Sequence, residues 1–218
     1  MPIVACGYDK GDRVLDGRMR TIIGPALDRI GRALAKAGIS ADAVTLAGFA
    51  LALAAACLIA FEHYFAGLFA LGLSRLADGL DGAVARATRK TDFGGFLDIV
   101  LDFAFYGAVP LGFVFLEPGT NAVAGAVLLL SFYVNGASFL GFAILAEKRG
   151  LETRARGAKS IHHSGGLLEG TETIAFFVVL CLWPGGFPGL ALGFAGLTFL
   201  TAAMRLRHAR HAFREPPP

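Results

Sequence analysis

From Gly119 to Ala146 the chain carries no charged side chain, and from Thr173 to Met204 it again carries none. Runs of that length constrain the fold more than anything else here, because about 20 apolar helical residues cross the ~30 Å hydrocarbon core of a bilayer. In such a medium each backbone N–H and C=O must be bonded within the segment, so the runs are read as helices. With 55% hydrophobic and 17% charged residues among 218, the composition lies far from the soluble average. The expected fold is an all-α integral membrane protein of one domain.

Six transmembrane helices are expected. Val44 to Phe61 is uncharged and forms the first. The second starts at Tyr64 and must extend through Arg75, Asp78 and Asp81 to reach full length, so one of its ends is polar. Phe96 to Leu116 is the third, with Asp98 and Asp102 near its start and Glu117-Pro118-Gly119 ending it. The fourth lies within Gly119 to Ala146, with Asn135 as its main polar side chain, expected to donate an interhelical hydrogen bond. Thr173 to Met204, broken at Pro184-Gly185-Gly186-Phe187-Pro188-Gly189, supplies the last two, the fifth beginning near Gly166.

Positive charge gives the orientation. Glu62-His63, Glu117 to Gly119 and Pro184 to Gly189 contain no Lys or Arg, whereas the other connections and both tails do. Cytoplasmic segments are the ones enriched in Lys and Arg, so both termini and the loops at Arg86 to Lys90 and Lys148 to Lys159 are expected in the cytoplasm, as in a bacterial-type cytoplasmic membrane. The N-terminus breaks into charges within nine residues, unlike a cleaved signal peptide. Met19 to Ala37 places Ile22, Ile23, Leu27, Ile30 and Leu34 at helical spacing among Arg20, Arg29, Arg32 and Lys36. That pattern suits an amphipathic interfacial helix, or equally one packed on the protein. The expected organisation is therefore residues 1–43 as a cytoplasmic segment with that helix, 44–206 as the membrane domain and 207–218 as a cytoplasmic tail. Cys6, Cys57 and Cys181 have no metal-ligand spacing and indicate no thiol chemistry.

Four carboxylates interrupt the apolar pattern at the facing ends of the second and third spans. Asp78 and Asp81 are three residues apart and Asp98 and Asp102 four apart, so each pair shares a helix face. Four acids brought together repel unless cations neutralise them, and hard oxygen ligands suit Mg²⁺ or Mn²⁺. A metal-dependent membrane enzyme facing the cytosol is the first expectation.

Asp78, Asp81-Gly82, Ala85-Arg86, Gly94, Asp98 and Asp102 together resemble the signature of the CDP-alcohol phosphotransferase (phosphatidyltransferase) family. Seven residues separate Arg86 from Gly94, one fewer than the family's usual eight. The resemblance implies six transmembrane helices, usually in a homodimer, and transfer of a phosphoalcohol from a CDP-linked donor to a hydroxyl with release of CMP. It implies Asp78, Asp81 and Asp98 as metal ligands, Asp102 as a further ligand and general base, and two Mg²⁺ or Mn²⁺ ions. Gly82 and Ala85 resemble the small residues beside the CDP moiety, and Arg86 would hold a phosphate or a carboxylate. Independently of that resemblance, pyrophosphate cleavage calls for cations at both the transferring and departing oxygens, and a carboxylate within reach can take the acceptor's proton.

Glu169 and Glu172 at the start of the fifth helix are candidates for support of the active or acceptor site, or for simple pairing with Arg75 or Arg86. Arg154 and Arg156, in a loop with Lys148, Arg149, Lys159, His162 and His163, could bind an acceptor phosphate or anionic lipid. CDP-diacylglycerol is the expected donor. A choline- or ethanolamine-type enzyme using a soluble CDP-alcohol and diacylglycerol is the alternative, and a cation transporter is a rival of a different class. No nucleic-acid partner is expected, and the acceptor alcohol cannot be read from these residues.

Overall fold

The computed structural model describes residues 14–149 and 170–214, with only the backbone for 14–23. The order is α1 (Val14–Lys36), α2 (Ala41–Ala60), α3 (Tyr64–Ala87), α4 (Asp92–Leu116), α5 (Pro118–Lys148), α6 (Gly170–Leu182) and α7 (Phe187–Ala212), with a 3-10 turn at Pro184–Gly186 before α7. No strand occurs among the described residues. Of these helices α2, α4, α5 and α7 with its preceding turn are long and apolar enough to cross a membrane. The other two expected spans fall on α3, which has 24 residues but carries Arg75, Asp78, Asp81 and Arg86 toward one end, and on α6, with 13 described residues. The expected start of α6 near Gly166 lies outside the described residues.

Local chemistry sets the helix ends. α1 stops at Gly38, whose φ of +79° suits a residue without Cβ. There the amides of Gly38 and Ile39 bond back to Ala35 and Leu34, closing the last turn. Ser40 then caps α2 by accepting from the Ala43 amide at 3.2 Å. The opposite end of α2 closes in the same way around Glu62, a non-glycine residue at φ 66°, with His63 bonding Leu58 and Glu62 bonding Ile59. Thr91 caps α4 by accepting from the Gly94 amide at 3.0 Å. Only residues 88–91 therefore connect α3 to α4.

Hydrocarbon is as apolar as leucine, so helices within it associate by close fit rather than by exclusion of water. α2 packs on both α3 and α4, and α5 on α7. At Gly112 of α4 a Cβ would stand 2.6 Å from the Ala56 carbonyl oxygen of α2, and at Gly48 of α2 one would stand 3.0 Å from the Ala77 Cβ of α3. These glycines let three backbones meet. α1 lies on α3 through Leu27 and buried Gly31, where a Cβ would come 2.7 Å from that of Ala83. Ile30, expected on the same apolar face, is 48% exposed.

Aromatic rings fill the centre. Phe105 and Phe177 are fully buried and meet edge to face at 5.8 Å, and Phe113 stacks on Phe187 at 5.2 Å. Several polar groups between the helices find partners on a neighbouring helix or turn. Asn121 donates to the Phe113 carbonyl at 2.7 Å. Buried Arg205 of α7 donates to Ser138 Oγ and to Asn135 Oδ1 of α5, each at 2.7 Å. Asn135 does join two helices, but its side-chain oxygen is the acceptor.

Gly112→Val would drive a branched side chain into the α2 backbone. We expect a loss of about 1–3 kcal/mol, measured by thermal unfolding in detergent, whereas Gly72→Ala, with open space at its Cβ, should leave the midpoint unchanged.

Candidate active site

α3 and α4 both pack on α2, and the short connection between them brings the side chains of the last turns of α3 toward those of the first turns of α4. One carboxylate oxygen each from Asp78, Asp98 and Asp102 comes within 4.8 Å of the other two, and all three residues are half-buried. With them Asp81 lines a cavity of about 10 Å³, roughly the room for one water-sized sphere. Asp81 is more deeply placed, 7% exposed, and its Oδ2 accepts from Thr45 Oγ1 at 2.7 Å. All four predicted acids thus meet at one place, three with mutually close oxygens and the fourth tied to α2.

Three carboxylates at such separations repel strongly where water is scarce. A donor set made only of hard, anionic oxygens is the chemistry that Mg²⁺ and Mn²⁺ prefer, so these residues fit a divalent cation. Sequence reasoning passed over two neighbours. Arg75, considered there only as a partner for a glutamate, places Nη1 2.8 Å from Asp102 Oδ1 and 3.7 Å from Asp78 Oδ1. The signal available was an arginine one turn before Asp78 in an otherwise apolar run. Thr45 gave no comparable signal, since a threonine near a helix start is commonplace.

The glycines in and beside the motif separate by what surrounds them. At Gly79 a Cβ would meet Leu27 of α1 at 3.1 Å, and at Gly94 it would press on Thr91 Oγ1 and Asp42 Oδ1 at 2.9 and 3.0 Å. Packing and the cap of α4 account for both. At Gly82 the nearest group is only the Arg86 guanidinium at 3.4 Å, so no neighbouring helix requires a glycine there. Half-buried Ala85 and exposed Arg86 follow on the next turn. Arg86 donates from Nη2 to Asp28 Oδ1 of α1 at 2.7 Å, and this bond holds the Asp28 carboxyl below the ordinary carboxylate range. Glu172 is exposed at the start of α6. Glu169, Arg154 and Arg156 lie outside the described residues, as do Lys159, His162 and His163.

A family model described as CDP-alcohol phosphatidyltransferase matches residues 39–204. Inner membrane protein YnjF of Escherichia coli is 46% identical over 193 residues, spanning 88% of this chain and 94% of that protein. Among solved structures, the phosphatidylinositol phosphate synthase of Mycobacterium tuberculosis with CDP-DAG bound is similar at a TM-score of 0.66 and 25% identity, covering 84% of this chain and 93% of that one. The same enzyme in complex with manganese and citrate gives a TM-score of 0.65 at 26% identity, covering 84% of this chain and 88% of that one.

The Asp28–Arg86 contact has a definite pH dependence. Because the folded carboxyl is more acidic than a free one, the contact contributes above about pH 4 and is lost as the pH falls through the lowered value. The carboxyl resonance of Asp28, followed by NMR in detergent, should therefore titrate at lower pH than a free aspartate, and Arg86→Gln should move its midpoint up toward the ordinary value.

Proposed function

Because this chain belongs to the CDP-alcohol phosphatidyltransferase family, we propose that it moves a phosphatidyl group from CDP-diacylglycerol to a hydroxyl of a phosphorylated alcohol, releasing CMP. The observation that carries this reading is the convergence of Asp78, Asp98 and Asp102 oxygens within 4.8 Å at the junction of α3 and α4. Asp78, Asp81, Asp98 and Asp102 would hold two divalent cations. Bound there, Mg²⁺ or Mn²⁺ would offset negative charge on the pyrophosphate oxygens and on the departing CMP. Manganese in the Mycobacterium tuberculosis structure supports that assignment.

Asp102 accepts the proton of the acceptor hydroxyl as its oxygen attacks the lipid-linked phosphorus and the bond to CMP breaks. The open flank of Gly82 admits the nucleotide close to the α3 backbone, with Ala85 beside it. Arg86 exchanges Asp28 for a donor phosphate, to which a guanidinium is equally suited. CDP-DAG in the Mycobacterium tuberculosis enzyme supports a lipid-linked donor, and that enzyme's name supports an acceptor of the inositol phosphate kind. Basic Arg207, Arg210 and Arg214 at and just past the end of α7, with Arg154 and Arg156 in the sequence between α5 and α6, favour a phosphorylated acceptor over a neutral one. Glu169 and Glu172 support that side of the site.

In the membrane, α2 to α7 form six spans of a homodimer whose acidic cluster and termini face the cytoplasm, and α1 lies at the interface with its cations toward anionic head groups. Residues 1–43, 44–206 and 207–218 divide accordingly into segment, catalytic domain and tail.

Purified protein with Mn²⁺ or Mg²⁺, CDP-diacylglycerol and a panel of alcohols should release CMP fastest with a phosphorylated polyol. Absence of CMP with every acceptor and either donor class would falsify the proposal. Asp102→Asn should lower turnover by roughly 10²–10⁴-fold while sparing nucleotide binding, whereas Asp78→Asn should weaken binding of both metal and nucleotide.

A further inference from the structure

Arg75 is held in place from every side. Its guanidinium lies over the Phe105 ring, 3.6 Å from the centroid, and that ring is itself fully buried against Tyr106 and Phe177. Nη2 points to Ser74 Oγ at 3.3 Å, and Nη1 reaches Asp102 Oδ1 at 2.8 Å with Asp78 Oδ1 at 3.7 Å. Its Nε is buried among the surrounding side chains. Among the described residues lining the acidic cavity, Arg75 is the basic one.

We propose that Arg75 is the resident counter-cation of the acidic cluster, neutralising Asp102 and Asp78 when metal is absent and giving up Asp102 Oδ1 when a divalent ion binds. This rests on the metal-site reading above and assigns a role to a residue outside the motif. Two consequences follow from charge alone. A fixed guanidinium a few ångströms from the ligand oxygens repels an incoming divalent ion and so weakens its binding. The same guanidinium keeps the metal-free cluster from driving α3 and α4 apart. Arg75 is therefore a positioning residue that lets the site load and unload metal without local unfolding.

The test is Mn²⁺ binding, by titration calorimetry and by the paramagnetic signal of free Mn²⁺, with thermal unfolding in detergent at each Mn²⁺ concentration. Arg75→Gln and the more apolar Arg75→Met should bind Mn²⁺ roughly tenfold more tightly than the parent. They should unfold at lower temperature than the parent without metal and regain the difference when Mn²⁺ is added. Arg75→Lys, which keeps the charge but not the planar stack, should stay within about threefold of the parent affinity. Neutral variants with unchanged or weaker Mn²⁺ affinity, or Arg75→Lys behaving like them, would overturn the proposal. So would neutral variants that cannot be recovered folded even with Mn²⁺ present throughout purification, since charge balance would then not be what Arg75 supplies. Failure of the parent protein itself to bind Mn²⁺ would instead overturn the metal-site reading, and this proposal with it.

Discussion

Mutual repulsion among carboxylates beside hydrocarbon is the constraint on which the rest of the structure depends. Four acids at the end of a helix hairpin can neither hydrate fully nor lie close together without compensation. The surroundings of the cluster supply it in distinct ways. Asp81 takes a hydroxyl from α2, and Asp102 takes a guanidinium that a buried aromatic ring holds flat. Phe105 therefore belongs to the site as much as to the core, since its packing against Phe177 fixes where the positive charge sits.

Close packing among α2, α3 and α4 turns that electrostatic problem into a geometric one. Gly48 and Gly112 bring α2 against both partners, and that approach puts Thr45 within reach of Asp81. A bulkier residue at either glycine would move the acids as surely as a substitution among the acids themselves. α5 and α7 form a second assembly, joined by Arg205, Asn135 and Ser138 and by the ring of Phe142 against His208 and Phe213.

Much of this was legible in the sequence because the bilayer permits few alternatives. Uncharged runs located α2, α4, α5 and α7, and the spacing of Asp78, Asp81, Asp98 and Asp102 located the cluster. What the sequence concealed are contacts between residues far apart in the chain with no periodic signature. Thr45 meets Asp81 across 36 positions and Arg75 meets Asp102 across 27. Gly79, Gly82 and Gly94 look alike in the sequence, yet α1 explains the first and the α4 cap the third, while the second meets only the side chain of Arg86 on its own helix. The direction of the Asn135 bond was also hidden, because an amide can either give or accept and only its partner, Arg205, decides.

The spacer from Arg86 to Gly94, which contains the connection at residues 88–91, is one residue shorter than the resemblance led us to expect, and Thr91 within it is already the cap of α4. Surface loops usually absorb insertions at little cost. This one acts instead as a gauge, setting how far the first acidic pair lies from the second along the hairpin axis. A change of length here would leave every span intact and every aspartate present, yet shift the register between the two halves of the cluster. The geometry of the acidic cluster is thus written partly in the length of a turn that contributes no carboxylate to it.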